Sequence, residues 1–222
     1  MTPVSFYPIL LNVQGKSVVI IGGGEVAMRK VKDLLEAGAV MRVISPEIHP
    51  EIESLAAQHQ GRIDIVRRRY LPGDLAGSRL AFSATNSPET NRAVFNEAEE
   101  RGIFLNAVDD LPHCSFIVPS TFRRGSLIVA VSTGGASPAM AAKLRRRIEE
   151  SLPGDVEEVL DSLARARDTL KEHAHFANLP SSRRGALLKR IVANDDLVRR
   201  LIDSDRRGAL ADFLKTLAEY QD

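Results

Sequence analysis

Two groups of residues in this 222-residue chain have the types and spacing to do chemistry. The first lies in residues 17–30, SVVIIGGGEVAMRK, where a short apolar run ends in Gly22, Gly23 and Gly24 and passes into a helical pattern. Gly22, Gly24 and Ala27 fill the small positions of G-x-G-x-x-G/A. The first allows a tight turn, the second lets a phosphate approach the backbone, and the third lets the helix pack on the strand. That pattern predicts a dinucleotide whose pyrophosphate meets the helix start at Glu25 and Val26. The second group is Asp109 and Asp110, which follow a later apolar run. A carboxylate beside a nicotinamide could take a proton while hydride leaves for the cofactor, and Asp109 is nearer the strand end. The same D-D-L-P run also fits a plain turn.

These groups must be carried by a scaffold, and the chain predicts one. Strand-like runs at 18–21, 40–44, 63–66, 80–84 and 103–108 alternate with mostly helical stretches. Such alternation predicts a parallel sheet wound by helices, with ligands outside the carboxyl ends of the strands. Ala27, Val31, Leu34 and Leu35 would face the sheet, Gly38 would stand near that helix's end, and Ser87 with Pro88 would start another helix that Gly102 closes. The residues after the strands are therefore candidate cofactor contacts: Gly22 to Val26, Ser45, Pro46 and Glu47, Thr85 and Asn86, and Asn106 with Val108. Where an acid usually meets the adenosine ribose stand Ser45 and Pro46, with the acid delayed to Glu47, so backbone groups, Ser45 or Glu47 would take that role. No arginine stands there for a 2′-phosphate, which favours NAD over NADP.

After Pro112 the pattern changes. Runs at 116–118 and 127–132, joined by Arg123, Arg124 and Gly125, predict a hairpin, and Ser137 with Pro138 would cap a helix. This short segment has too little core to stand alone, so a homodimer is expected. From Pro153 the pattern is helical. The expected architecture is α/β: a Rossmann-type domain at 1–112, a small α+β dimerisation domain at 113–150, and a helical domain at 151–222.

Composition narrows the function classes. With 30 basic and 29 acidic side chains the formal charge is +1, which gives no global case for nucleic acid. No apolar run predicts a membrane span, and the single cysteine fits a reducing, cytoplasmic setting. His113 and Cys114 are adjacent but lack a third ligand, so no metal site is expected and Cys114 reads as a small core residue.

The first 150 residues resemble the siroheme synthase N-terminal family. The resemblance rests on FYPILLNVQGKSVVIIGGGEVAMRK, LLEAGAVMRVISPE, AFSATNSPETN, RGIFLNAVDD, FIVPS and VAVSTGGASPAMAAKLR in order. It implies an NAD-dependent precorrin-2 dehydrogenase, in some members also a sirohydrochlorin ferrochelatase, acting as an interlocked dimer. Asp109 matches the family's catalytic aspartate in N-x-x-D, and Glu25, Val26, Pro46 and Glu47 match its NAD contacts. The substrate it implies carries eight carboxylates, for which Arg124, Thr133, Gly134 and Ser137 are candidate contacts. Thr133 stands where some relatives carry serine. A module that senses NAD without turnover is the competing expectation.

Overall fold

A computed structural model describes residues 6–219. Contacts group the chain into two units, residues up to Val118 with Thr133–Ser137, and Pro119–Ser132 with the residues from Pro138 onward.

The first unit is a five-stranded parallel sheet in the order β3-β2-β1-β4-β5. Its strands are β1 Ser17–Ile21, β2 Val40–Ile44, β3 Ile63–Val66, β4 Leu80–Ser83 and β5 Phe104–Ala107. Helices α1 Glu25–Glu36, α2 Pro50–Gln58 and α3 Pro88–Arg101 join them. Alternate residues of β1 serve opposite faces, as the two-residue strand period requires. Val18 and Ile20 bury against α1 through Ala27, Met28, Val31 and Leu34, and Val19 and Ile21 bury with Val94 and Ala98 of α3. Covering both faces explains why β1 reads as an unbroken apolar run from Val18 to Ile21.

The helix ends follow local chemistry. Ser87 accepts the Thr90 amide at the start of α3, Pro88 takes the first helical position, and Gly102 closes the helix at φ 63°. At the end of α1 the cap is Ala37, at φ −75°, and Gly38 comes one residue later at φ 82°. The strand order reverses between β1 and β4, which opens the crevice where ligands of such sheets bind.

In the second unit β6 Ser120–Arg124 and β7 Leu127–Val131 form an antiparallel hairpin, with Arg124 paired to Leu127 across a two-residue turn. This corrects the expected first strand at 116–118. Phe116 instead packs edge-to-face on Phe82 of the sheet, with ring centroids 5.5 Å apart. Pro119, which has no N–H to donate to a ladder, separates it from the hairpin. Arg123 and Arg124 accordingly end the strand rather than form the turn.

Helix α4 Pro138–Ser151 packs on the hairpin, and α5 Val156–Glu172, α6 Ser181–Val192, α7 Asp195–Arg206 and α8 Leu210–Glu219 follow. These last four helices share a core around Leu170, Phe176, Ile191, Leu201 and Leu214. Ser162 and Arg165 of α5 both bond Asp205 of α7.

Candidate active site

The site residues of the first unit gather along the carboxyl edge of its sheet. Gly22 adopts φ 111°, and a Cβ there would lie 2.1 Å from the Ala84 carbonyl oxygen. A Cβ on Gly23 would lie 2.2 Å from the Glu47 carbonyl oxygen. These two glycines let the first loop pass between the loop after β2 and the loop after β4. Gly24 is different, because a Cβ there would meet nothing within 4 Å. It is the N-cap of α1, and no side chain caps the helix. The first amides of an α-helix have no partner within it, so this open turn fits a dinucleotide pyrophosphate.

The neighbouring loops are tied to this turn. The His49 amide donates to the Gly23 carbonyl at 2.7 Å, the His49 ring accepts the Glu51 amide to cap α2, and its Nε2 lies 3.5 Å from Glu25. The structure thus brings Ser45, Pro46 and Glu47 beside the glycines, with Pro46 and Glu47 exposed. After β4, Asn91 of α3 accepts from the Ser83 hydroxyl at 2.8 Å and donates to the Thr85 carbonyl at 3.1 Å. Thr85 in turn accepts the Ser87 amide, and Asn86 is exposed. His49 and Asn91 were missed by sequence reasoning. A histidine before Pro50 and a polar residue early in α3 were the only signals of them.

Asp109 follows β5 and is the non-glycine residue with positive φ, at 60°, among the described residues. This left-handed conformation is uncommon for a side-chain-bearing residue, and Asn and Asp tolerate it best. The turn around it is held at several points. The Val108 amide donates to Ser83, the Asp110 amide to Ala107 and the His113 amide to Asp110. His113 Nδ1 lies 2.8 Å from Asp110 Oδ2, and its ring packs edge-on against Phe95.

Cys114 corrects the expectation of a simple core residue. It is only half-buried, and its sulfur accepts the Ala107 amide at 3.2 Å and faces the carbonyls of Ala107 at 3.1 Å and Asp110 at 3.3 Å. Burial raises its pKa, so the group is a neutral thiol with one proton to donate. Among the described residues no three His, Cys, Asp or Glu side chains converge as metal ligands. Asn106 donates to the Phe116 carbonyl at 3.1 Å, so its amide nitrogen anchors the segment after β5.

Lys30 lies within α1 with its Nζ 5.9 Å from the Phe82 ring centroid, and burial lowers its pKa. The more exposed Lys32 pairs with Glu51 of α2.

Of the candidate substrate residues, Thr133, Gly134 and Ser137 lie in the same unit as Asp109, and Arg124 lies in the other. The Thr133 hydroxyl accepts the Ser137 amide at 2.9 Å and donates to the Ser137 carbonyl at 3.0 Å, which closes the loop. Gly134 and Gly135 turn it at φ 63° and 90°. Arg124 donates to the Glu149 carbonyl of α4 at 3.2 Å.

Comparison with known proteins agrees with this geometry. A family model described as "Putative NAD(P)-binding" matches residues 9–120, half of the chain. The chain belongs to this NAD(P)-binding family. A second model, "Sirohaem biosynthesis protein central", matches residues 124–151, which span the hairpin turn and α4. The chain is 37% identical over 213 residues to a siroheme synthase of Chromobacterium violaceum, covering 96% of this chain and 44% of that protein. It is 41% identical over 165 residues to a siroheme synthase of Methylobacillus flagellatus, covering 74% of this chain and 35% of the relative. The chain thus spans less than half the length of these curated relatives. A solved structure, SirC, a precorrin-2 dehydrogenase, superposes with a TM-score of 0.77 at 25% identity, covering 97% of this chain and all of that one. The superposition takes in the C-terminal helices as well as the sheet, whereas the family model stops at residue 120. Among the described residues no helix is long and apolar enough to cross a membrane.

Proposed function

We propose that the chain is an NAD-dependent dehydrogenase that oxidises precorrin-2 to sirohydrochlorin. The observation that carries this reading is the presence, on one sheet edge, of an open glycine turn and of a carboxylate in left-handed conformation. SirC, named as a precorrin-2 dehydrogenase, supplies the reaction class.

The oxidation removes two hydrogens from the macrocycle. When bound, the nicotinamide supplies the acceptor for a hydride, which leaves carbon with its electron pair. Asp109 takes the accompanying proton, and because Asp109 is exposed the proton then passes to water. The products are sirohydrochlorin, reduced dinucleotide and one proton, so atoms and electrons balance. Glu25 and Val26 present the first-turn amides to the pyrophosphate, and Ser45, Pro46 and Glu47 line the ribose end. Glu47, with no arginine in residues 45–49, selects NAD over its 2′-phosphorylated form. Arg124, Thr133, Gly134 and Ser137 are the proposed contacts for substrate carboxylates, with Thr133 acting through the closed loop.

The active species in this reading is a cytoplasmic homodimer. Met140, Leu144 and Ile148 recur every four residues on α4 and are 47%, 38% and 39% exposed. A repeating apolar stripe of this kind on a helix that already packs against its hairpin supports a second copy as its cover.

An anaerobic assay with precorrin-2 and NAD tests the function. Reduced dinucleotide should appear in step with the visible spectrum of sirohydrochlorin. NAD binding without turnover would replace this reading with that of a sensing module.

A further inference from the structure

We propose that Cys114 is a positioning residue for the proton-accepting step, because its thiol brackets the turn that holds Asp109 in left-handed conformation. The inference rests on the reading of Asp109 as the proton acceptor. The sulfur meets residue 107 on one side of Asp109 through both its amide, at 3.2 Å, and its carbonyl, at 3.1 Å. On the other side it meets the Asp110 carbonyl, at 3.3 Å. The thiol has one proton, so it donates to one of the two carbonyls at a time while still accepting the Ala107 amide. The Asn106 amide nitrogen lies 3.7 Å from the same sulfur. One side chain therefore joins the end of β5 to the far side of the Asp109 turn.

A second tie closes the turn from outside. The Cys114 amide donates to the Leu111 carbonyl at 3.1 Å, and His113 pairs with Asp110. Asp109 itself makes no hydrogen bond or ion pair with another described side chain that would hold it. The backbone therefore fixes where its Cβ leaves the turn, and the bonds of the residues that bracket it hold that backbone. A misplacement of about 1 Å in a reacting group can reduce turnover on the order of 10²-fold.

The test compares Cys114→Ala and Cys114→Ser with Asp109→Asn in the full chain. Each is measured for kcat, KM for precorrin-2, NAD affinity, melting temperature and amide hydrogen exchange of residues 107–113. Cys114→Ala should lower kcat by about 10²-fold, speed exchange across the turn, and leave NAD affinity and KM within about twofold. Cys114→Ser, which keeps a donor and an acceptor, should recover at least about tenfold of that loss. A kcat of Cys114→Ala within about twofold of the parent, whatever its melting temperature, overturns the inference. So does an equal loss in the serine and alanine variants. If the alanine variant does not fold, Cys114→Val takes its place, since valine fills space without a hydrogen bond. Normal turnover by Asp109→Asn would instead remove the reading of Asp109, and the two failures are thereby distinguished.

Discussion

Gly135 lies against Leu111, such that a Cβ added to the glycine would sit 2.8 Å from Leu111 Cδ2. The loop of residues 133–137 therefore rests on the second residue after Asp109. Leu111 is 40% exposed and can swing aside, so steric crowding alone costs little. The larger cost of Gly135→Ala comes from its φ of 90°, which an L side chain rarely adopts. We expect a stability loss of about 1 kcal/mol or more, read by urea unfolding. A larger fall in kcat than in substrate affinity would show that the two loops act together. An unchanged kcat would separate them.

The glycine turn makes two opposite expectations. Gly24→Val should fold as the parent does, because the position is open and its φ of −84° is ordinary. It should bind NAD at least about tenfold more weakly, since the side chain would occupy the approach to the first-turn amides. Gly22→Ala should destabilise the whole sheet by about 3 kcal/mol or more, because its Cβ would lie 2.1 Å from backbone at Ala84. Isothermal titration with NAD, together with thermal melts, separates the two. Unchanged NAD affinity in a folded Gly24→Val variant would remove the glycine turn from the cofactor site.

Asp109 calls for a particular choice of substitution. At φ 60° an alanine costs about 1 kcal/mol through the backbone alone, so a loss of activity in Asp109→Ala mixes conformation with chemistry. Asparagine tolerates the conformation and cannot accept the proton as a carboxylate does. Asp109→Asn should therefore keep its melting temperature and NAD affinity and lose on the order of 10² to 10⁴ in kcat. Asp110→Asn should do much less to turnover.

The parts of this fold legible in the sequence are those fixed by local pattern. β1 and α1 were readable because the apolar run, the glycines and the helical period of Ala27, Val31 and Leu34 agree with one another. The caps at Ser87 and Gly102 were readable for the same reason. The hairpin was displaced because Phe116 to Val118 look like a strand, while packing of Phe116 on Phe82 is a contact between distant residues. The conformation of Asp109 was not readable either. It depends on Cys114 returning to Ala107, and spacing alone does not report where a chain folds back. Asn91 was hidden because its bonds run to two loop positions rather than along its own helix.

Glu97 gives a pH dependence. Its side chain is 7% exposed, and burial by itself would raise its pKa. Hydrogen bonds from Tyr70, the Gly73 amide, Arg101 and the Leu75 amide outweigh burial and hold the pKa below the ordinary carboxylate value. A depressed folded pKa contributes stability above the unfolded value, and that contribution is lost as pH falls through the folded value. The parent should therefore lose stability below about pH 4.5 from this group. Glu97→Gln should be about 1 to 3 kcal/mol less stable at pH 7, because a neutral amide accepts the Tyr70, Gly73 and Leu75 bonds more weakly and cannot accept them all, and should show a shallower acid slope. Urea unfolding across pH 3 to 7 measures both.

The stripe on α4 makes the last expectation. Leu144 stands between Met140 and Ile148, and all three are exposed although α4 already packs on β6 and β7. An isolated chain would leave this row in water, whereas a second copy related by a two-fold axis would cover it with the same row. Leu144→Asp places a charge at the centre of that contact. Because the residue is exposed, the substitution should change the melting temperature of the monomer little. The parent should run as a dimer by light scattering at micromolar concentration, and Leu144→Asp should run as a monomer. If the dimer also completes the substrate site, the variant should keep its NAD affinity, which the first unit provides, and lose turnover of precorrin-2. A Leu144→Asp protein that remains dimeric would move the interface off α4, and a parent that is monomeric at that concentration would remove the dimer altogether.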